Sequence, residues 1–260
     1  MFVRIGGNID NTSPSLSELS ASDQYIDTLQ IRRGNPDLTP YLNYRINLLY
    51  EYRKGIVNGN FTINYQYSPD VIMTEVVREN GKFILTNDNQ RNWQKVNSEM
   101  TVRVGPVKRI LQFSVTGGMN HYISKGNTYS HEYTNWYLRA SVMAMYKKFM
   151  AMFQVNTRYN NFHGEYLRGG EDIHLLMLRY NQGKFAVSAG MMLPFSDKYK
   201  RFDENRNQYV STVRNSYAND FAQMLLLQFS WNFDFGRKYK GGQKKINNMD
   251  TDSGIISGNK

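Results

Sequence analysis

The chain has 260 residues, a formal net charge of +10 and no cysteine. The lack of thiols excludes disulfide frameworks, zinc sites built on cysteine and thiol catalysis. No apolar run is long enough to cross a membrane as a helix. Basic residues are scattered through predicted turns and loops and no nucleic-acid motif is present, so we predict no nucleic-acid partner.

The first 39 residues show little periodicity, and we predict an irregular, loop-like segment for residues 1–39. The stretch from Asn8 to Asp23 is rich in Asn, Ser, Asp and Thr, which are residues of turns and loops. The first residues also lack the apolar core of an export signal. We therefore expect the chain to be the later part of a longer exported protein.

From residue 40 onwards, apolar and polar residues alternate, which predicts antiparallel β-strands because side chains alternate between the two faces of a strand. The Asn80-Gly81 pair predicts a two-residue hairpin, since both central positions of a type I′ turn need a positive φ. Nine strands are predicted, at residues 44–53, 61–78, 82–104, 111–120, 138–146, 149–159, 172–180, 185–193 and 225–236.

The last predicted strand is apolar and aromatic on one face and polar on the other. A soluble sandwich also has alternating strands, but its strands average about five or six residues and these are longer. Tight turns alternate with long polar connections, as in outer-membrane barrels. The sequence therefore predicts an all-β fold, an antiparallel transmembrane β-barrel sheet over residues 40–236, in the cell outer membrane.

The alternation also assigns side chains to the two faces of the sheet. Aromatic residues beside the tight turns predict a lipid-facing girdle: Tyr50, Tyr52, Tyr146, Phe229, Trp231, Phe233 and Phe235. Polar residues on the opposite face predict a hydrated lumen: Arg45, Glu51, Asn64, Glu99, Arg103, Arg158, Gln228 and Asn232. Four methionines interrupt this polar face and predict local packing against protein: Met143, Met145, Met150 and Met152.

A barrel must close, because unpaired backbone groups are costly in lipid. Single-chain bacterial barrels normally have an even number of strands. We therefore expect about nine or ten strands that form an incomplete part of a larger barrel. The competing hypothesis is a tenth strand within Met1–Gly7 that closes a small barrel.

Two stretches resemble a known family. The first is Gly34-Asn35-Pro36-Asp37-Leu38-Thr39-Pro40, immediately before a predicted strand, which is similar to the G-N-P-x-L-x-P segment of TonB-dependent outer-membrane receptors. The second is the aromatic last strand with the tail after it, which is similar to the ends of TonB-dependent receptor-like barrels of Bacteroidetes-type bacteria. We expect the tail, residues 237–260, to be basic, disordered and periplasmic.

The resemblance implies a barrel of about 22 strands with a plug inside it. It also implies uptake of a nutrient, with energy from an inner-membrane complex. The implied partners are the plug, the inner-membrane energy-coupling complex, outer-membrane lipid and the barrel-assembly machinery. This chain departs from the pattern, because it shows no plug segment. The expected function is the barrel portion of such a receptor. The alternative is a small complete barrel that is structural or binds a surface partner.

The sequence shows no catalytic or metal-binding pattern. The four histidines lack the spacing of metal ligands, and no serine lies in a nucleophile elbow. We therefore predict no enzyme activity and no cofactor.

Overall fold

The structure is a computed structural model, which describes residues 1–107, 110–170 and 172–233. The strands in chain order are β1 (Phe2–Thr12), β2 (Gln24–Tyr25), β3 (Gln30–Arg32), β4 (Tyr41–Lys54), β5 (Val57–Glu79), β6 (Lys82–Val107), β7 (Leu111–Lys125), β8 (Ser130–Tyr146), β9 (Phe149–Asn156), β10 (Asn160–His163), β11 (Tyr166–Gly170), β12 (Ile173–Gln182), β13 (Phe185–Met192), β14 (Tyr199–Asn205), β15 (Thr212–Ala218) and β16 (Met224–Trp231). A four-residue helix, α1 (Leu16–Leu19), precedes β2. Over the described ranges, no helix has the length and apolar character needed to cross a membrane.

Ten strands follow one another across the main sheet, in the order β1-β4-β5-β6-β7-β8-β9-β12-β13-β16. All nine contacts between neighbours on this path are antiparallel. The all-β antiparallel fold is therefore confirmed. Within the described part of the chain β1 and β16 are the two edges and do not pair with each other, so this sheet is open.

The prediction that residues 1–39 are irregular is wrong for Phe2–Thr12. These residues form β1, which pairs with β4 over its whole length, from Phe2 opposite Glu51 to Thr12 opposite Tyr41. The local sequence resembles a loop because of its glycines and asparagines. Pairing with β4 overrides that tendency, since Val3, Ile5 and Ile9 extend the apolar face of the neighbouring strand.

The hairpins have the turns that their sequences require. The predicted Asn80-Gly81 turn is confirmed, with φ of 50° and 77° at its two residues and Glu79 opposite Lys82. The tight turn between β8 and β9 places Lys147 at a φ of 53°. Turns with left-handed residues reverse the chain direction within two residues, and their backbone twist matches the right-handed twist of the two flanking strands.

The register places the apolar residues of neighbouring strands side by side on one face of the main sheet. Leu48 lies between Ile5 and Ile63. This apolar face is open in the isolated chain, where the exposed fraction is 57% for Ile46 and 74% for Leu227. A soluble fold would cover such a surface, because burial of apolar area is its main stabilising contribution.

Strand β12 could not be assigned to faces from its sequence. The structure pairs Leu178 with Ala151 on β9 and with Ala189 on β13. Leu178 therefore belongs to the apolar face, and the alternating residues Met177 and Arg179 belong to the polar face. Cross-strand neighbours decide this assignment, which the local alternation leaves open.

Two hairpins form a second sheet where the sequence predicted only loops. Its order is β10-β11-β14-β15, and we call it the cap sheet. The main buried cluster lies where the cap sheet meets the main sheet, and its members are Val71, Met73, Trp93, Tyr122, Phe162 and Leu167. The densest packing of the chain is therefore at the end of the main sheet that carries the long connections.

Candidate functional site on the polar face

Five asparagines lie opposite one another across five neighbouring strands of the polar face. Asn47 on β4 pairs with Asn64 on β5, which pairs with Asn97, Asn120 and Asn135 on β6, β7 and β8 in turn. We call this row the asparagine ladder. Three of its five side chains are linked, because Asn64 Nδ2 donates to Asn97 Oδ1 at 3.2 Å and Asn97 Nδ2 donates to Asn120 Oδ1 at 3.0 Å.

The far end of the ladder is buried and incompletely paired. Asn120 is 0% exposed and Asn135 is 6% exposed. The Nδ2 donors of both side chains have no hydrogen-bond partner within the described chain. A buried donor without an acceptor costs about 1–3 kcal/mol, so this end is less stable than a fully paired row.

A charged group lies next to the ladder. Glu99 Oε2 accepts a hydrogen bond from the Tyr137 hydroxyl at 2.8 Å and lies 3.5 Å from Arg139 Nη2. The Tyr137 ring lies directly over Gly118, where a Cβ atom would overlap it. Gly118 is thus the position that allows Tyr137 to reach across to Glu99, and the three polar groups are held in one orientation.

Two further cations lie on the same side. Arg45 Nη1 is 2.8 Å from Asp10 Oδ2 on β1. Lys95 Nζ donates to the Tyr159 hydroxyl at 3.3 Å and stands 5.3 Å from the centroid of the Tyr122 ring. Tyrosine rings and amides around a mixture of charges favour a polar ligand with several hydrogen-bonding groups.

Together these side chains surround a cleft of about 440 Å³, which we call the polar cleft. Its volume lies within the range of small-molecule sites. The residues that line it are Asn8, Arg45, Ile46, Asn47, Asn64, Tyr65, Gln66, Lys95, Asn97, Glu99, Tyr137, Arg139 and Tyr159.

The cap sheet covers the polar face next to this cleft. Trp93 Nε1 donates to the backbone oxygen of Phe162 at 3.1 Å, and the Tyr122 hydroxyl donates to that of Asn160 at 3.2 Å. Asn160 Nδ2 in turn donates to the Tyr133 hydroxyl at 2.6 Å. Three long-range hydrogen bonds thus attach β10 to the inner side of the main sheet, so the cap sheet narrows access to the polar face from that end.

The predicted lumen residues have different fates. Arg45, Asn64 and Glu99 line the polar cleft. Three others lie on the same face, where Glu51 pairs with Asn60, Arg103 with Ser114 and Gln228 with Ser188. Asn232 lies just beyond β16, and its backbone N–H donates to Lys184 O.

The placement of Arg158 on a strand is wrong. Strand β9 ends at Asn156. Thr157 N–H still donates to Leu138 O at 2.8 Å, but the backbone N–H of Leu138 donates to the Thr157 hydroxyl at 2.7 Å instead of to a backbone carbonyl, so regular pairing stops there. Arg158 therefore lies in the connection to β10 and is exposed. The sequence analysis missed Asn97, Tyr137 and Tyr159, which only the register and the folded connection bring to the cleft.

The predicted girdle residues lie on the apolar face, near the tight turns. Tyr50 pairs with Phe61, Tyr146 with Phe149 and Trp231 with Phe185, and the rings of Trp231 and Phe233 stack at 5.2 Å. Tyr52 is 41% exposed and Phe229 is 63% exposed, while Phe235 lies outside the described residues, as does the tail 237–260. The structure adds Phe149, Tyr180 and Phe185, whose rings lie 4.9 and 6.2 Å apart along one row.

The family-motif residues fold a segment of residues 13–40, which we call the strap, back on itself. Gly34 N–H donates to Ser20 O at 2.8 Å, and Asn35 N–H donates to Glu18 O at 2.6 Å. Leu38 is 7% exposed. Pro36 and Pro40 flank it in the turn that leads into β4.

Glycine is required at position 34 by close approach, not by an unusual φ. A Cβ atom there would lie 2.5 Å from both Glu18 O and Ser20 O. Neither Gly34 nor Asn35 has a left-handed φ.

The predicted inward methionines form one continuous surface. Met143 pairs with Met152, Met152 with Met177, and Met145 with Met150, all on the face that is polar elsewhere. We call these five residues the methionine surface. All five are half-buried, and a cleft of about 540 Å³ beside Met143 and Met152 leaves space against them.

Among the described residues, no group of three or more His, Asp or Glu side chains is placed to hold a metal ion. The polar cleft therefore offers hydrogen bonds and charges to a ligand from its own side chains.

Comparison with known proteins agrees with this architecture. The sequence profile of the Outer membrane protein beta-barrel family matches residues 10–233, which includes most of the main sheet and all of the cap sheet. Searches of curated proteins and of solved structures gave no match. Because the profile spans most of the chain, this protein is a member of the outer membrane protein beta-barrel family.

Proposed function

We propose that this chain is the barrel portion of an outer-membrane receptor of the TonB-dependent type, which takes up a nutrient and has no catalytic role. The observation that carries the proposal is the methionine surface. A face that lines water would be polar throughout, whereas Met143, Met152 and Met177 form an apolar row on it. Flexible thioether side chains suit a surface that packs against another protein element.

The inserted element would be a plug, which in a receptor of this type occupies the lumen and is moved by an inner-membrane energy-coupling complex. A plug would cover the methionine surface near the tight turns. The polar cleft, which Asn64, Glu99 and Tyr137 help to line, would remain towards the other end. A ligand released by plug movement could then meet hydrogen-bonding groups along its path.

Lipid is the proposed partner of the opposite face. The exposed apolar row and the aromatic rings at the tight turns match the lipid-facing band and the girdle of a barrel. Barrel-assembly machinery would be needed to insert such a sheet. We place the tight turns at the periplasmic side of a Gram-negative outer membrane, of the Bacteroidetes type that the motif resembles.

The second candidate is a small complete barrel that binds a surface partner. The observation that favours it is β1, which brings the main sheet to ten strands, an even number. Closure would require β1 to pair with β16. In that case the methionine surface would line the interior of a narrow barrel.

Methionine oxidation tests the plug that the receptor proposal requires. Native outer membranes would be treated with hydrogen peroxide, and sulfoxide at Met152 and Met177 measured by mass spectrometry against the same membranes unfolded by heat in detergent. A plug predicts protection of both residues in the native membranes. Met100, which is 56% exposed on the apolar face, should be protected by lipid under either hypothesis.

Uptake would be tested in the same cells. Protection of the methionines should coincide with nutrient uptake that a protonophore abolishes, because the proposed transport depends on the inner membrane for energy. Rapid oxidation of Met152 and Met177 in native membranes, with Met100 still protected, would show a wet lumen without a plug and would reject the receptor proposal.

A further inference from the structure

A second cleft lies apart from the polar cleft, between the strap, the tip of the β5–β6 hairpin and the β10–β11 hairpin. Its volume is about 620 Å³, which is ample for a ligand of small-molecule size. We call it the strap cleft. Its floor carries uncharged side chains that can donate and accept hydrogen bonds. These side chains belong to Ser17, Ser20, Ser22, Thr74, Thr86, Asn87 and Asn161.

Three arginines line the strap cleft, but one of them is already neutralised. Arg33 Nε lies 2.5 Å from Asp23 Oδ1, and its Nη1 lies 3.0 Å from Glu79 Oε2. These contacts raise the pKa of Arg33 further above its ordinary value, the hydrogen bond to Asp23 being the largest cause. Arg33 therefore holds the strap against the hairpin and is not available to a ligand.

The other two arginines retain charge for a ligand. The Arg32 guanidinium makes no hydrogen bond or ion pair to any described residue, and Arg32 lines the cleft. Arg168 Nε is 3.6 Å from Asp203 Oδ1, and Arg201 shares that carboxylate at 3.9 Å. Among the described residues Asp203 is the one carboxylate that contacts these two guanidinium groups, so it leaves a net positive charge on the pair.

Arg32 and Arg168 line the cleft together with Tyr166. Burial and the charge of Glu165 raise the pKa of the Tyr166 hydroxyl, and the charges of Arg32 and Arg168 oppose that rise. Burial and the charge of Arg168 lower the pKa of His163, so this ring is neutral at pH 7 and adds hydrogen bonding rather than charge. Glu18 is the one carboxylate among the residues that line the cleft, which leaves an excess of positive charge.

We propose that the strap cleft binds a hydroxylated organic anion, whose phosphate or carboxylate group is held by the guanidinium groups of Arg32 and Arg168. The serine, threonine and asparagine side chains of the floor would bind its hydroxyl groups, since each can both donate and accept. Guanidinium is the side chain best suited to the oxygens of phosphate and carboxylate. The site depends only on this cleft and holds whether or not the chain is part of an importer.

Calorimetric titration of the full chain, purified from outer membranes in detergent, tests the proposal. The probe is glucose 6-phosphate, compared with glucose and with inorganic phosphate as its two separate halves. Glucose 6-phosphate should bind more tightly than either half, because only it engages the arginines and the hydroxyl-binding floor together. Arg32→Gln and Arg168→Gln should each weaken its binding at least about tenfold, as expected for loss of a charge-assisted hydrogen bond.

Arg78→Gln is the matched control, because Arg78 is an exposed arginine on the same β5–β6 hairpin and does not line the cleft. It should change the affinity less than about twofold, because an exposed charge outside the site is screened by solvent. Equal weakening by Arg78→Gln would mean a diffuse field of charge and would overturn the proposal. So would wild-type binding of glucose 6-phosphate that is no tighter than binding of inorganic phosphate.

A glycolipid headgroup presents the same chemistry as a free sugar phosphate. Monophosphoryl lipid A in the same micelles is therefore titrated in parallel. Tighter binding of this lipid than of glucose 6-phosphate, lost in Arg32→Gln, assigns the cleft to a lipid headgroup. The reverse order, with the same dependence on Arg32, assigns it to a free ligand. Binding of neither probe overturns the proposal.

Discussion

Gly34→Ala should open the strap, by separating its segment at Gly34-Asn35 from its segment at Glu18 to Ser20. The new Cβ atom would lie 2.5 Å from Glu18 O and from Ser20 O, and 2.8 Å from Ser20 N. All three are backbone atoms, so the clash cannot be relieved by rotating a side chain. The two segments must move apart, and the hydrogen bonds from Gly34 N–H to Ser20 O and from Asn35 N–H to Glu18 O are then lost.

The cost follows from these contacts. Two backbone hydrogen bonds contribute about 1–3 kcal/mol together, and overpacking of a close contact adds about 1–3 kcal/mol. A loss of about 3 kcal/mol raises the opening equilibrium about 100-fold. Hydrogen exchange with mass spectrometry should show the peptides over residues 30–40 exchanging about 100-fold faster, while the strands of the main sheet keep their protection.

Gly117→Ala is the control substitution. Gly117 lies on β7, has no left-handed φ, and has no atom within 4 Å of the position that a Cβ would take. It should leave strap exchange unchanged. If Gly34→Ala also leaves the strap protected, the close approach of the two backbone segments is not what holds the strap, and the argument from Gly34 is refuted.

Three further outcomes are expected. Asn97→Ala should lower the free energy of unfolding, measured by urea titration, by about 1–3 kcal/mol, because it breaks both hydrogen bonds at the centre of the ladder. Asn47→Ala is the control and should change that free energy by less than about 0.5 kcal/mol, because the Asn47 side chain makes no hydrogen bond to another described asparagine of the ladder. Trp93→Phe leaves the buried carbonyl of Phe162 without its donor and should speed exchange in β10 about tenfold; unchanged exchange would count against the indole bond as an anchor. The hydrogen bond from Arg33 holds the pKa of Asp23 below its ordinary value of 3.8. This contact therefore stabilises the strap above pH 3.8, and the stabilisation is lost as the pH falls through the lowered pKa. Hydrogen exchange in the strap, corrected for intrinsic rates, should be faster below pH 3 than at pH 6.

Much of the main sheet can be predicted from local patterns. The final strand has period-two alternation, and Asn80-Gly81 is one of the dipeptides that favour a two-residue hairpin. The cap sheet could not be predicted in this way. Its strands, such as β10 and β11, are short, rich in Asn and Gly, and are stabilised by Trp93 and Tyr122 from distant strands.

The candidate site was even less accessible to sequence reasoning. Each asparagine of the ladder is an ordinary polar residue on a strand, and no spacing along the chain marks Asn64, Asn97 and Asn120 as neighbours. Gly34 was noticed as part of a motif, but its physical role is the space it leaves for two carbonyl groups. Only the folded strap reveals that role.

The sequence by itself determined nine of the ten strands along the main sheet and, for all of these except β12, which side chains share a face. These properties follow from alternation and turn chemistry, which act over a few residues. Tertiary structure alone decided that Met1 is followed by a paired strand, that five asparagines form one row, and that the strap, hairpin tip and β10–β11 enclose a charged cleft. The reason is register, because the hydrogen bonds that align one strand with the next join residues far apart in the chain.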